Sequence, residues 1–473
     1  MKLKQTAIIL LLACGLSLPA SAAGQDGYSS YYTNMPVQMA QASAPSIPDY
    51  RVSVKDFGAK GDGATLDTEA FTKAIAAVEA KGGGHVDVPA GVYLLGPIEL
   101  KSHIDLHLSQ NATLYFSPDA SLYVQKEGAK STRGRVRSAI SAEQCTDISI
   151  TGGGLIDGMG NYWRPVKRSK QSDEEWKNYV KQGGTVTKDG NFFFPKAPEG
   201  MKYDALEKLR NDLIRIYRCK NVLLQGVTFQ NSPRFHVHPY YCENVIMDGI
   251  VVRSPWNAQN ADGIDLTNCR QVLIVNTTVD TGDDGICMKG GQGASGKEAG
   301  PVSDVLIKNC RVYHAHGGFT IGSDCSGGMK NIVVRNCTYN GTDVGLRFKS
   351  GMDRGGKTEN VFCDSIYMSN IKGEAIIFEN TYVNKDVKFM MGNGTDIDST
   401  KIFLPDFTDV HISNVVCRGA ETGILLRGIP QAFIHDITFK NVTISEARKP
   451  YSSEYAKGIV LDNVKVNGEK PKL

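Results

Sequence analysis

A short unit recurs along most of this 473-residue chain: one Asn, Asp or Gln, followed by a run of aliphatic residues in alternation. Its starts are Asp147, Asn221, Asn244, Gln271, Asp304, Asn331, Asn360 and Asp409, each followed at once by Val or Ile. From Asn221 to Asn360 the starts fall 23, 27, 33, 27 and 29 residues apart. Within the unit, Val305-Leu306-Ile307-Lys308-Asn309-Cys310 and Ile332-Val333-Val334-Arg335-Asn336-Cys337 follow the period-two pattern of a strand with one buried face. A single unit of this size cannot bury its own apolar face, so it must stack on its neighbours. The spacing therefore predicts an all-β solenoid, a right-handed parallel β-helix, with equivalent residues of successive coils about 4.8 Å apart. A β-sandwich is the competing arrangement, and it does not require this period.

Cysteine follows the same rhythm. Cys145, Cys219, Cys242 and Cys269 each stand three residues before the first aliphatic residue of their strand, and Cys310, Cys337 and Cys417 are read as a later column. Stacked free cysteines fill a narrow interior as small apolar groups. Disulfides are the alternative, because the N-terminus has the form of an export signal and export permits oxidation. Lys2 and Lys4 precede an apolar run from Ala7 to Leu18 that ends in Ala20-Ser21-Ala22, which predicts a signal peptide over 1–22. The run is too short for a membrane span. Leu11-Leu12-Ala13-Cys14-Gly15 has the form of a lipobox that would lipidate Cys14, but apolar sequence continues past Cys14 and favours cleavage after Ala22. A periplasmic or secreted protein is expected.

Residues 23–49, rich in Ser, Gln, Ala and Pro without periodicity, read as a mobile tether. A single β-helix domain is expected over 50–465, since a solenoid grows by adding coils, with a short tail over 466–473. A helix from Thr68 to Lys81 is expected to cap the open first coil, with Asp67 as N-cap, Gly82-Gly83-Gly84 as stop, and Phe71, Ala74, Ile75 and Val78 on its buried face. The formal charge of +3 includes Lys2 and Lys4. So balanced a chain offers no surface for nucleic acid. A monomer is expected.

Coil spacing brings distant acids together. Asp262 lies 21 residues before Asp283, about one coil, and Asp284 doubles the carboxylate. His316 falls in a third coil, after an insertion near 290–302, and Arg347 and Lys349 in a fourth. Alternation turns both cations outward and Phe348 inward. Alone, Arg-x-Lys on a strand is a solvated face, and a lone histidine is a turn residue. Beside three acids they make a site for an anionic substrate. Three clustered carboxylates either bind a hard cation such as Ca²⁺ or divide acid and base roles across a glycosidic bond. In the second case adjacent like charges push the pKa values apart as the chemistry needs.

At these residues the chain resembles glycoside hydrolase family 28, the polygalacturonase family of the pectin-lyase-like superfamily. The family motifs N-T-D, G/Q-D-D, G/S-H-G and R-I-K stand here in order as Asn260-Ala261-Asp262, Gly282-Asp283-Asp284, Ala315-His316-Gly317 and Arg347-Phe348-Lys349. Ala261, Ala315 and Phe348 depart from the pattern, and none of these changes removes a reactive group. The likeness runs from about Val54-Lys55-Asp56-Phe57-Gly58 through the final coils. It implies inverting hydrolysis of α-1,4 bonds next to galacturonic acid, without cofactor or metal. Asp283 would be the general acid, Asp262 and Asp284 would activate water, and His316 would set the protonation of the acid. Arg347 and Lys349 would grip the sugar carboxylate, and Asn260 would orient Asp262 or a hydroxyl. Inversion implies carboxyls about 6.5–9.5 Å apart.

Two further features bear on the substrate. His236 and His238 share a face in the preceding coil, and His238 is a candidate for lining a neighbouring subsite. The excursions from Trp163 to Arg210 and from Asn380 to Pro405 interrupt the coil rhythm. The first resembles the insertions that wall off one end of the groove in exo-acting relatives, which implies a pocket releasing terminal residues, and the second is a candidate for the other wall. Activity on rhamnogalacturonan or xylogalacturonan, a Ca²⁺-dependent lyase and a noncatalytic carbohydrate-binding β-helix are the alternatives.

Overall fold

The computed structural model describes residues 27–124, 136–196, 207–382 and 402–471. The expectations for the signal peptide, Cys14 and most of the second excursion fall outside these residues. Thirty-one strands form one continuous sheet, with parallel pairing between successive coils, and the chain is a right-handed parallel β-helix. Ile148, Val222, Val245, Val272, Val305, Ile332, Val361, Val410 and Ile437 stand in one column. All nine are buried.

The polar residue that opens each unit has a conformational reason. Asp147, Asn221, Asn244, Gln271, Asp304, Asn331, Asn360 and Asp409 all have φ between 50° and 58°, the left-handed region that Asn and Asp tolerate best among residues with a side chain. The turn thus selects the residue type, and the next strand begins at once. Neighbouring amides then bond along the stack: Asn221 donates to Asp147 at 3.0 Å, Asn244 to Asn221 at 2.8 Å, and Asn360 to Asn331 at 3.1 Å.

The ten described cysteines are free and buried, which settles them as interior filling. The backbone N–H of Cys145 donates to Cys219 Sγ at 3.3 Å, as stacking requires. Cys417 corrects the expected second column. Cys337 aligns with Ile366 and Val415, whereas Cys417 aligns with Met368, two residues further on.

The helix Thr68–Glu79 buries Ala70, Phe71, Ala74, Ile75 and Val78 against the first coil. Asp67 precedes it without capping it. Its carboxylate instead accepts from the backbone N–H groups of Lys60 and Gly61, at 2.7 and 2.9 Å. The segment read as a mobile tether is seated on the β-helix over its described part. Tyr28, Tyr32 and Ala42 pack on Ile246, Leu273, Val275, Leu306 and Val333, and Ser43 exchanges hydrogen bonds with Asn244 at 2.8 and 2.9 Å. The first excursion contains the helix Asp173–Lys181 and a small antiparallel sheet of Val166–Lys167, Gly184–Val186 and Phe192–Pro195. It is rooted by buried Trp163, whose ring meets Tyr123 edge-on at 5.2 Å. Among the described residues no helix is long and apolar enough to cross a membrane.

Candidate active site

Four strands set the site: Ile264–Thr267, Ile286–Lys289, Phe319–Ile321 and Leu346–Lys349. Their first residues align coil by coil and point inward. Counting back two places from that column gives Asp262 and Asp284 in adjacent coils. Counting back three gives Asp283, His316 and Asp343. Backbone bonds hold these turns in step: Gly263 donates to Asp284 O at 2.9 Å, His316 to Asp283 O at 2.8 Å, and Gly285 to Gly317 O at 2.9 Å. A Cβ on Gly317 would stand 2.3 Å from Thr320 Oγ1, so only glycine fits after His316.

One oxygen from each of Asp262, Asp283 and Asp284 lies within 4.8 Å of the others. These oxygens lie inside the expected gap, because Asp262 and Asp284 occupy equivalent places in adjacent coils, about one strand spacing apart, and Asp283 adjoins Asp284 in the chain. The cations divide between the acids. Lys349 Nζ donates to Asp284 Oδ2 at 2.6 Å, and Arg347 Nη1 to Asp284 Oδ1 at 3.3 Å. Lys289 Nζ lies 3.4 Å from Asp262 and 3.2 Å from Asp265. His316 Nδ1 donates to Asp283 Oδ1 at 3.0 Å.

These contacts push the carboxyls apart in acidity. Burial works to raise Asp284, which is 2% exposed, but Lys349, Arg347 and Lys289 outweigh it and hold it far below the usual carboxylate range. Burial also works to raise Asp283, and the hydrogen bond from His316 holds it low instead. Asp262 goes the other way. Burial, then the charges of Asp265, Asp283 and Asp284, lift it well above its ordinary value, with Lys289 only partly offsetting them. Asp262 is thus the weakest acid of the three, beside two more acidic neighbours. Burial opposes the charge on Lys289, but its acidic neighbours, Asp265 foremost, raise it well above its ordinary value.

Arg347 and Lys349 leave the coil outward, as expected, while Phe348 stacks inward on Phe378 at 4.2 Å between ring centres. Asn260 is tied to Arg210, whose Nη2 donates to its Oδ1 at 2.9 Å. His238 does not line an open subsite. It is 2% exposed, held between Asp212 Oδ2 at 2.9 Å and Thr267 Oγ1 at 3.1 Å, with Phe235 and Tyr240 closing over it. His236 is fully buried. Burial pushes it down to about 4, and its neutral ring donates from Nδ1 to the Asp262 carbonyl at 2.9 Å.

Four residues of the site escaped the sequence reading. Asp265 and Lys289 were visible in principle, as outward positions of strands already placed. Tyr382 lies at the edge of the second excursion, its ring 4.8 Å from Lys349 Nζ and 5.6 Å from the Arg347 guanidinium. Lys170 comes from the first excursion, and its Nζ lies 3.1 Å from His316 Nε2 and donates to the Gly282 carbonyl at 3.2 Å. No coil period reports such a contact.

The cluster can hold and move a proton between carboxyls and offers two cations to an anion beside them. Residues 172–459 match the model of Glycosyl hydrolases family 28, and residues 51–113 match Rhamnogalacturonase A/epimerase, pectate lyase-like. The exo-poly-alpha-D-galacturonosidase of Dickeya chrysanthemi is 30% identical, over 94% of this chain and 78% of its own. A hyperthermoactive exopolygalacturonase from Thermotoga maritima superposes with a TM-score of 0.75 at 32% identity, covering 91% of this chain and 94% of that one. The family 28 exopolygalacturonase of Yersinia enterocolitica, at 23% identity, shares the fold with a TM-score of 0.71 over 90% of this chain and 77% of its own. Ordered motifs, gathered acids and matches across nearly the whole chain agree: this protein belongs to glycoside hydrolase family 28 and is a glycoside hydrolase.

Proposed function

We propose that the chain is an exo-polygalacturonase that removes galacturonate from the non-reducing end of pectic oligomers by inverting hydrolysis of α-1,4 bonds. The observation that carries this reading is the cluster of Asp262, Asp283 and Asp284 with Arg347 and Lys349 beside it. Arg347 and Lys349 meet the sugar carboxylate, for which a guanidinium fork is well shaped. Asp283, the most exposed of the three acids, meets the leaving oxygen.

In the free site Asp262 holds a proton more readily than Asp283 or Asp284 does. The glycosidic oxygen is an acceptor, so bound substrate favours a protonated Asp283 and draws the proton there. Asp262 and Asp284 then orient the attacking water. Direct attack by Asp284 is opposed because both of its oxygens are committed, Oδ2 to Lys349 and Oδ1 to Arg347 and Thr320. The short carboxyl spacing by itself would suit retention, so the anomeric configuration of the first product is the deciding measurement.

The exo reading rests on Lys170, which carries the first excursion onto the third coil of the site, and on the exo-acting relatives. Lys289 on Asp262, and Lys349 and Arg347 on Asp284, already engage oxygens that a divalent ion would need, which weighs against a Ca²⁺-dependent lyase. Incubation with defined oligogalacturonides should release terminal units with inverted configuration, unaffected by chelator. Early mid-chain fragments would sink the exo assignment, unsaturated ends the hydrolysis, and action only on rhamnose- or xylose-bearing pectin the substrate. Asp283→Asn should lower turnover about 10³-fold, within the range general acids supply, with unchanged far-UV circular dichroism. Export through the 1–22 segment completes the proposal. N-terminal sequencing of the mature protein should find cleavage after Ala22, whereas lipid on Cys14 would overturn that site.

A further inference from the structure

We infer that Lys170, carried by the excursion and not by the β-helix, is a positioning residue that keeps His316 in the tautomer serving Asp283. The inference rests on the reading of Asp283 as proton donor. Asp283, His316 and Asp343 occupy one column in three successive coils, with His316 Nδ1 3.0 Å from Asp283 Oδ1 and Nε2 3.6 Å from Asp343 Oδ2. A histidine between two carboxylates is drawn to carry a proton on each nitrogen. That imidazolium would hold Asp283 as an anion, the form that cannot protonate a leaving oxygen.

Lys170 breaks the symmetry. Its Nζ lies 3.1 Å from Nε2 and is anchored to the Gly282 carbonyl at 3.2 Å. An ammonium only donates, so Nε2 must accept, and the single ring proton is left on Nδ1, facing Asp283. Asp343 is engaged by Lys372 at 3.0 Å. The turn that presents Lys170, Arg168–Lys170, is itself fixed: Arg168 N–H donates to Asn191 O at 2.8 Å, and Arg168 Nη1 to Gln171 O at 2.8 Å.

The charged groups around the pair are few. Lys170 faces Asp283 and Asp343, with Lys167 and Lys372 nearby, and the His316 carbonyl accepts from Arg347 Nη1 at 3.4 Å. Burial pushes the Lys170 ammonium down from its ordinary value, and Asp283 and Asp343 work against that.

Steady-state kinetics on an oligogalacturonide across pH, with thermal unfolding as a check on folding, tests the assignment. Lys170→Met should lower kcat roughly tenfold to a hundredfold, part of what general acid catalysis supplies, with KM within about twofold. Its acid limb should move to higher pH, because Nε2 is then open to a second proton. Lys170→Arg should restore the limb and most of the turnover. Adding Asp343→Asn to Lys170→Met should also move the limb back, since the carboxylate competing for Nε2 is gone. A Lys170→Met enzyme with kcat and acid limb unchanged would overturn the inference. So would an arginine variant as impaired as the methionine one, with neither limb moved. Asp283→Asn separates the two readings: if it keeps turnover, the acid is misassigned; if it is inactive while Lys170→Met is normal, only the lysine is.

Discussion

Two outward stripes of the same sheet are buried by opposite means. On one, Leu223, Ile246, Leu273, Leu306, Val333 and Phe362 align in successive coils and are covered by Tyr28, Tyr32 and their neighbours. On the other, Asp265, Cys287, Thr320 and Arg347 align, with Lys289 and Lys349 two places along their strands. The backbone geometry is common to both, and side-chain chemistry decides the rest. The first stripe is held by apolar area, a non-directional gain that tolerates imperfect fit. The second survives burial only while each charge keeps its partner. One stripe is a seam and the other a machine, and substitutions should separate them.

The largest effect is expected on the charged stripe. Lys349→Met leaves Arg347 as the one direct ion pair to Asp284 among the described residues, and breaking a buried pair costs about 3 kcal/mol or more. Denaturant unfolding should show that loss, and turnover should fall with it. A variant of wild-type stability would place Asp284 in contact with solvent. On the apolar stripe, Tyr32→Ala removes a buried ring and the hydroxyl that accepts from the Ala42 N–H at 3.0 Å. A loss of about 2–3 kcal/mol is expected from large-to-small truncation, with kcat unchanged. Altered turnover there would mean that the two stripes communicate.

A smaller, pH-dependent effect belongs to Asp262. Its folded pKa is raised, so between about pH 4, the ordinary carboxyl value, and that raised value the native state binds more protons than the unfolded state. Stability should therefore fall as pH rises through this window. Asp262→Asn, neutral throughout, should flatten the slope measured from melting temperature against pH. Asp265, also raised by burial, keeps part of it. An unchanged slope would locate the proton elsewhere. The smallest effect is expected from the interior thiols, which are buried and free. A thiol-reactive disulfide should leave the native enzyme unmodified and react once it is unfolded, and reducing agent should not shift the melting temperature.

Much of this was legible because the repeat converts sequence distance into spatial adjacency. Asp262, Asp283, Asp284, His316, Arg347 and Lys349 were placed together by counting coils, and the count holds. Three failures depended on what neighbouring coils and segments supply. His238 points outward, yet Asp212 and Thr267 from neighbouring coils seal it. The carboxyl gap was set by the coil pitch and not by side-chain reach. The segment before residue 50 has no period, so its docking could not be counted. A signal was nevertheless present: Ile246, Leu273, Leu306 and Val333 are apolar at the alternate positions, where a solvated face would be polar, and strands apolar on both faces are covered on both.

By itself the sequence determined the winding of the chain, because Asn and Asp at left-handed turns and aliphatic alternation are local properties that repeat. It determined which reactive side chains share a ridge for the same reason. Only the tertiary structure decided which carboxyl is the weakest acid, which histidine is sealed and which lysine reaches His316. Those outcomes depend on desolvation and on distances of about 3 Å between coils and excursions, and no local pattern encodes them.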